Sequence, residues 1–278
     1  MISFDFEYFK PTSTEEAIKR FEDLYSQNKK VIYYGGGTEL ISRARRNELN
    51  VDAVIDLKGI PACHAFNLEE NQIIIGAATT LTAIADSNLF PLLANVSRAI
   101  ASRTPRNKIT IGGNISGNLF YREAILPFLL ADSEIVIAGK EGVRKANINE
   151  IFEKGVQLQE EEFVVQIITD SKFTQYPYTN SKKTKQSKVN YPIASVASLQ
   201  VDDHIRVAFS GVCPFPFRLE EIESVLNNTS LSIETRSRDA MNHLPAPILD
   251  DMYASADYRK FVLENVLTEL LKKMEGAS

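Results

Sequence analysis

The sequence predicts an α+β protein, with an N-terminal α/β region followed by a C-terminal region of strands and then helices. Three observations carry this. Short β-branched runs, "VIYY", "DAVIDL" and "QIIIGA", alternate with helix-patterned segments early in the chain. Two glycine-rich turns, Gly35–Gly37 and Gly112–Gly113, each follow an apolar segment and precede a helical one. From Glu160 onward strands come first and amphipathic helices come last, so the order changes near residue 172. The expected division is 1–171, itself split into 1–58 and 59–171, and then 172–278.

Composition bounds the function. A chain of 278 residues with 44% apolar and 24% charged residues is that of an ordinary globular protein with ample core. A net charge of −5 argues against general nucleic-acid affinity. Two cysteines, Cys63 and Cys213, are too few for a disulfide framework or for an iron–sulfur cluster held by this chain alone. The N-terminus carries acids where a signal peptide has a basic region. The most apolar region, Ala124 to Gly139, is broken by Pro127, Asp132, Ser133 and Glu134, so it is not expected to span a membrane. The expected compartment is the cytoplasm.

In order along the chain, Ser13 with Glu16 three residues later forms a capping box, and Ala17, Phe21 and Leu24 follow at helical spacing. A helix from Thr14 to Ser26 is predicted. Val31–Tyr34 reads as a buried strand, the glycines as a turn and Glu39–Arg46 as a short helix. Asp52–Leu57 and Gln72–Ala77 read as strands, and Thr79–Ile84 and Phe90–Ser102 as helices. "RNKITIGGNISGN" is the second glycine turn, and "YREAILPFLLADSEIVIAG" a short helix and a strand. "EEFVVQIIT" is the next strand. The following stretch is polar and basic, with Lys172, Lys182, Lys183, Lys185 and Lys188 and no acid beyond Asp170. "IASVASLQV" and "HIRVAFSGV" read as a hairpin whose turn holds Asp202 and Asp203. "RLEEIESVLNN" and "ADYRKFVLENVLTELLKKM" read as the closing helices.

The chemistry lies in the glycine turns. Such turns expose backbone N–H groups, and with a helix N-terminus behind them these can receive an anion. Two converging turns could hold a pyrophosphate, with Thr38 and Asn114 adding uncharged hydrogen bonds. Neither turn is a Walker loop, and neither is G-x-G-x-x-G. The bland alternative is that both are structural turns. Among the histidines, His64 beside Cys63 lacks a second ligand pair at zinc spacing, His204 lies by the hairpin turn and His243 in a loop. No metal site, nucleophile elbow or catalytic dyad is expected.

"YYGGGTEL" followed by "TIGGNISGN" resembles the paired flavin-binding signature of the FAD-binding (medium) subunit of molybdenum hydroxylases, the xanthine dehydrogenase and carbon monoxide dehydrogenase family. "ASRTPRNKITIGGN", "REAILPFLLADSEIVI", "SGVCPFPFRLEEIE" and "SADYRKFVLENVL" extend the resemblance through nearly the whole chain. It implies a PCMH-type, vanillyl-alcohol-oxidase-like FAD fold and then a C-terminal α+β domain of the CO dehydrogenase flavoprotein type. The first FAD segment falls on Tyr33, Tyr34, Gly35, Gly36, Gly37, Thr38, Glu39 and Leu40, and the second on Thr110, Ile111, Gly112, Gly113 and Asn114. Their backbone amides are expected to hold the pyrophosphate, with glycine required so that no Cβ blocks the phosphate oxygens. Glu123 stands where the family commonly has an Asp against the flavin chain. Ile100, Leu40 and Val164 would pack by the cofactor. A lysine that approaches the flavin ring falls equally well on Lys183 or Lys185, unless the basic run is simply a solvated loop. Tyr191, Tyr176 and Tyr178 either cover the ring or make apolar contacts in the second domain.

The resemblance further implies non-covalent FAD, since the first turn offers no His or Cys for attachment. Molybdopterin and two [2Fe–2S] clusters would reside on a large and a small partner subunit. The role implied is electron transfer from those clusters to NAD or another acceptor, with "GNLFYREAILP" most similar to xanthine or purine dehydrogenase subunits. The alternative is a flavin-fold protein acting alone as a carrier, an NADH-dye reductase or a ligand-binding module.

Overall fold

The computed structural model describes residues 2–276; Ala277 and Ser278, the end of the expected third segment, lie outside the described residues. The described residues form three sheets. The first is parallel, in the order β1-β3-β2, from β1 (Glu7–Phe9), β2 (Val31–Tyr34) and β3 (Ala53–Asp56). Helix α1 (Thr14–Tyr25) covers it with Ala17, Ile18, Phe21 and Leu24. The Ser13 side chain accepts from the Glu16 amide as the capping box requires. The reciprocal bond slips by one residue, since Glu16 accepts from Thr12 N at 2.7 Å. Helix α2 (Thr38–Arg45) starts from Gly37, whose φ of +71° is open to glycine and strained for other residues.

The second sheet, β4-β5-β8-β6-β7, is antiparallel: β4 (Phe66–Glu69), β5 (Gln72–Gly76), β6 (Glu134–Gly139), β7 (Gly142–Asn147) and β8 (Phe163–Asp170). Its central strands are buried on both faces. Ile135, Ile137 and Ile167 pack into one core while Val136, Ala138, Phe163 and Val165 join Phe21 and Ile55 in another. That is why these strands read as continuous apolar runs. Between β5 and β6 run α3 (Leu81–Ala85), α4 (Pro91–Arg98), α5 (Arg103–Arg106), α6 (Ile111–Ser116) and α7 (Leu126–Leu130); α8 (Ile148–Ile151) follows β7. The single helix expected over Phe90–Ser102 stops at Arg98. Ala101 takes φ +52°, and the Arg106 guanidinium bonds Arg98 O at 3.0 Å and Ala101 O at 2.6 Å, satisfying carbonyls the helix end leaves open.

The third sheet runs β12-β11-β10-β9, from β9 (Tyr178–Thr184), β10 (Pro192–Val201), β11 (His204–Ser210) and β12 (Phe217–Arg218). The β10–β11 hairpin turns at Asp202, which has φ +53°. Helices α9 (Glu220–Leu226), α10 (Ile233–Asp239) and α11 (Ala256–Met274) close the chain, and α11 buries Val262, Leu263, Val266, Leu267, Leu270 and Leu271. Much of the basic stretch is therefore a strand, β9, and not a loop. Its even-numbered side chains face the second sheet's helices, where Tyr178 meets Asn95. Its odd-numbered ones face α11, where Thr179 meets Lys273. Among the described residues no helix is long and apolar enough to cross a membrane.

Candidate functional site

Strand β2 delivers the chain to Gly35–Gly37 at the end of the first sheet, and α2 leaves from there. Among the described residues, none of the five amides from Gly36 to Leu40 donates to a protein acceptor; the first that does is Ile41, to Gly37 O at 2.9 Å. Five consecutive N–H groups at a helix start form a nest for an anion. The glycines have a second reason to be small. A Cβ on Gly36 would lie 1.7 Å from Lys108 O, one on Gly35 2.8 Å from Thr110 Oγ1, and one on Gly37 would run into the Tyr34 ring. Close packing within the protein is thus by itself enough to keep these positions bare: Gly35 and Gly36 lie where the two turns touch, and Gly37 has a positive φ over the Tyr34 ring.

The second turn differs from the expectation as well. Its amides are already engaged: Ile111 N to Thr79 O, Gly112 N to Ala77 O, Gly113 N to Thr110 Oγ1 and Asn114 N to Thr110 O. What it offers is space. A Cβ on Gly113 would meet only Thr110 Oγ1, at 3.0 Å. The buried Asn114 Oδ1 has no hydrogen-bond partner.

Both turns open onto one cavity of about 730 Å³, within the ~300–1,000 Å³ typical of small-molecule sites. Its lining includes the aromatic Phe21, Tyr33 and Phe163, and also Lys182 of β9 with Val189, Asn190 and Tyr191 of the loop after it. There Lys182 Nζ bonds Glu123 Oε2 at 3.0 Å and Ala99 O at 2.9 Å. Both side chains are over nine-tenths buried. Burial pushes the Glu123 carboxyl above its ordinary range, opposed by the charge and hydrogen bond of Lys182 and by Ser195. Tyr121 and Tyr191 stack at 4.7 Å beside the cavity, with Tyr253 edge-on to both. The Tyr121 hydroxyl donates to Asp251 at 2.9 Å. The lining suits an anionic molecule with a flat ring: five unpaired backbone donors, aromatic and apolar walls, and the ammonium of Lys182 paired with Glu123.

Residues 4–169 match the family model described as the FAD binding domain in molybdopterin dehydrogenase. That is more than half the chain. The chain belongs to this family of FAD-binding domains. Over essentially full length it is 26% identical to the nicotinate dehydrogenase FAD-subunit of Eubacterium barkeri, covering 98% of each chain. It is 22% identical to the xanthine dehydrogenase FAD-binding subunit of Escherichia coli O157:H7, covering 99% of this chain and 98% of that one. Its fold is that of a chain in carbon monoxide dehydrogenase from Hydrogenophaga pseudoflava, with TM-score 0.87, 23% identity and 98% of both chains covered. The fold class read from the sequence is the observed one.

FAD is the cofactor of this family of domains, and the residues lining the cavity fit such a group: unpaired amides for a diphosphate, an uncommitted Asn114 oxygen and apolar walls. Of the residues expected to bind it, Tyr33, Gly35, Gly36, Gly37, Thr38, Glu39, Leu40, Ile100, Thr110, Gly112, Gly113, Asn114, Glu123 and Val164 line the cavity. Tyr34 does not; its ring lies beneath the turn. Ile111 is fully buried in the core. Lys183 and Lys185 also point elsewhere, to Glu269 at 3.2 Å and Met252 O at 2.9 Å. The lysine at the cavity is Lys182, because strand alternation turns its neighbour to the opposite face. Tyr191 lines the cavity, whereas Tyr176 packs on Phe173 and Tyr178 on Asn95. Tyr121, inside the quoted "GNLFYREAILP" but with no pattern that singles out its ring, and Tyr253 and Lys58, in segments without a motif, are not legible from the sequence. Cys63 is buried and His64 bonds Lys58 O at 2.9 Å; no group of three or more metal-ligating side chains occurs among the described residues.

Proposed function

We propose that this chain is the FAD-carrying electron-transfer subunit of a molybdenum hydroxylase with a xanthine- or purine-like substrate. Partner chains hold the molybdopterin and the [2Fe–2S] clusters, and NAD or another soluble acceptor receives the electrons. The observation that carries the reading is the five-amide nest that lines one cavity together with the buried Lys182–Glu123 pair. When bound, FAD supplies the redox chemistry that connects clusters to acceptor. The protein's residues bind, orient and tune. Amides 36–40 would hold the diphosphate, Thr38 and Asn114 would add neutral hydrogen bonds, and Lys182, paired with Glu123, would stand as an ammonium donor in the cavity wall. No acid–base dyad is needed for that role. Support for the substrate class is the similarity of "GNLFYREAILP" to purine dehydrogenase subunits, and two relatives are named for nicotinate and xanthine, both nitrogen heteroaromatics.

The test is purification of the chain alone and then with the products of its neighbouring genes. The expected result is yellow protein with stoichiometric FAD in both cases, and xanthine-reducible iron and molybdenum only in the second. Full turnover by a monomer of this chain alone would overturn the subunit assignment, and reduction by another substrate but not by purines would overturn the substrate class.

A further inference from the structure

We propose that Lys58, backed by Asp56 and Tyr8, is a clamp that presets the first glycine turn for a diphosphate without touching the ligand. This inference rests on the flavin reading above. Lys58 Nζ donates to Gly35 O at 2.7 Å and to Asp56 Oδ1 at 2.7 Å, and sits 4.3 Å from the centroid of the Tyr34 ring. Asp56 is 2% exposed; its Oδ1 also accepts from the Lys58 amide at 2.9 Å and its Oδ2 from the Tyr8 hydroxyl. Neither Lys58, Asp56 nor Tyr8 lines the cavity.

A trans peptide points its C=O and the next N–H to opposite sides, and the described chain has no cis peptide. Drawing Gly35 O toward Lys58 therefore turns the Gly36 N–H the other way, away from the clamp. That amide is the first of the unpaired donors, and Gly36 lines the cavity. A run of three glycines has little intrinsic preference between such orientations. Unclamped, it would sample states in which a carbonyl faces the anion. Presetting the donors removes that cost from binding. Asp56 cancels the charge of Lys58, so the clamp acts through orientation and not through long-range attraction.

The clamp is tested on the apoprotein with Lys58→Met and Lys58→Arg, measuring Kd for FAD, ADP and riboflavin and the apoprotein Tm. Lys58→Met is expected to raise Kd for FAD and for ADP by the same factor, about tenfold, or ~1.4 kcal/mol. Riboflavin, which lacks the diphosphate, should bind as before, and Lys58→Arg should restore most of the loss. Unchanged FAD and ADP binding in Lys58→Met would overturn the clamp. So would equal weakening of all three ligands together with a fallen apoprotein Tm, since Lys58 would then only support the fold. A wild-type protein that binds neither FAD nor ADP would overturn the flavin reading itself, and the clamp with it.

Discussion

Lys182 and Lys183 are adjacent in the chain and have opposite fates. Lys182 is buried against Glu123 at the cavity wall, while Lys183 makes a solvated pair with Glu269, 44% and 65% exposed. Spacing from a motif cannot choose between such neighbours; only the phase of the strand can. Their substitutions should therefore diverge. Lys183→Met is expected to change stability by less than about 0.5 kcal/mol and to leave bound FAD unaltered. Lys182→Met strands a buried carboxyl, and should cost about 3 kcal/mol and lower the FAD reduction potential. The pH dependence identifies the cause. Burial already raises the Glu123 carboxyl above its ordinary 4.5, and removing the ammonium raises it further. A group with a raised folded-state value stabilises fully below the unfolded value and loses that as pH rises through the folded one. Denaturation of Lys182→Met against wild type should thus show a deficit that grows as pH climbs through the raised wild-type Glu123 value and levels off above the still higher value of the variant.

At the scale of elements, the glycine turns show what a motif reveals and what it hides. Their position, one after an apolar strand and both before helices, was legible because glycine runs break both periodicities. Their division of labour was not. The first turn presents unpaired amides, while the second spends its own on Thr79, Ala77 and Thr110 and contributes open space. That distinction depends on which turn finds acceptors nearby, a matter of tertiary contact. It also decides how the site should be probed. A side chain at Gly36 drives into Lys108 O and parts the turns, so loss of FAD there reports on packing. Gly113 has only the Thr110 hydroxyl nearby. Gly113→Val is expected to put its methyl groups into the cavity, weaken FAD binding more than about tenfold (~1.4 kcal/mol), and leave apoprotein Tm within a few degrees of wild type. Titration of the apoprotein with FAD alongside a melting curve checks both parts. Strand β9 was hidden for a related reason: a run of Lys, Ser and Thr carries no apolar alternation, and its pairing with β10 forms it.

At the scale of the molecule, the buried runs of β6 and β8, the β10–β11 hairpin and the α11 stripe were legible because burial on one or both faces writes itself into hydrophobic pattern. The joint between the C-terminal helix and the cavity was not, being built from a few polar residues far apart in sequence. Arg259 on α11 is fully buried, bonding Ile193 O at 2.8 Å, Gly211 O at 2.6 Å and Asp251 at 2.6 Å. Asp251 in turn holds the hydroxyl of Tyr121, whose ring stacks on Tyr191 at the cavity. Burial tends to raise the Asp251 carboxyl, but bonds from the Tyr253 amide, Tyr121 and Arg259 outweigh it and hold it below its ordinary 3.8. For a depressed carboxyl the stabilisation is present above the unfolded value and fades as pH falls through the folded one. Asp251→Asn keeps the shape and removes the charge that Arg259 needs. At neutral pH it should cost about 3 kcal/mol, as for a broken buried pair. The gap from wild type should close as pH drops below 3.8. Acid unfolding of the two proteins measures this, and a gap that stays constant with pH would show that the cost comes from the amide's altered hydrogen bonding and not from the lost charge.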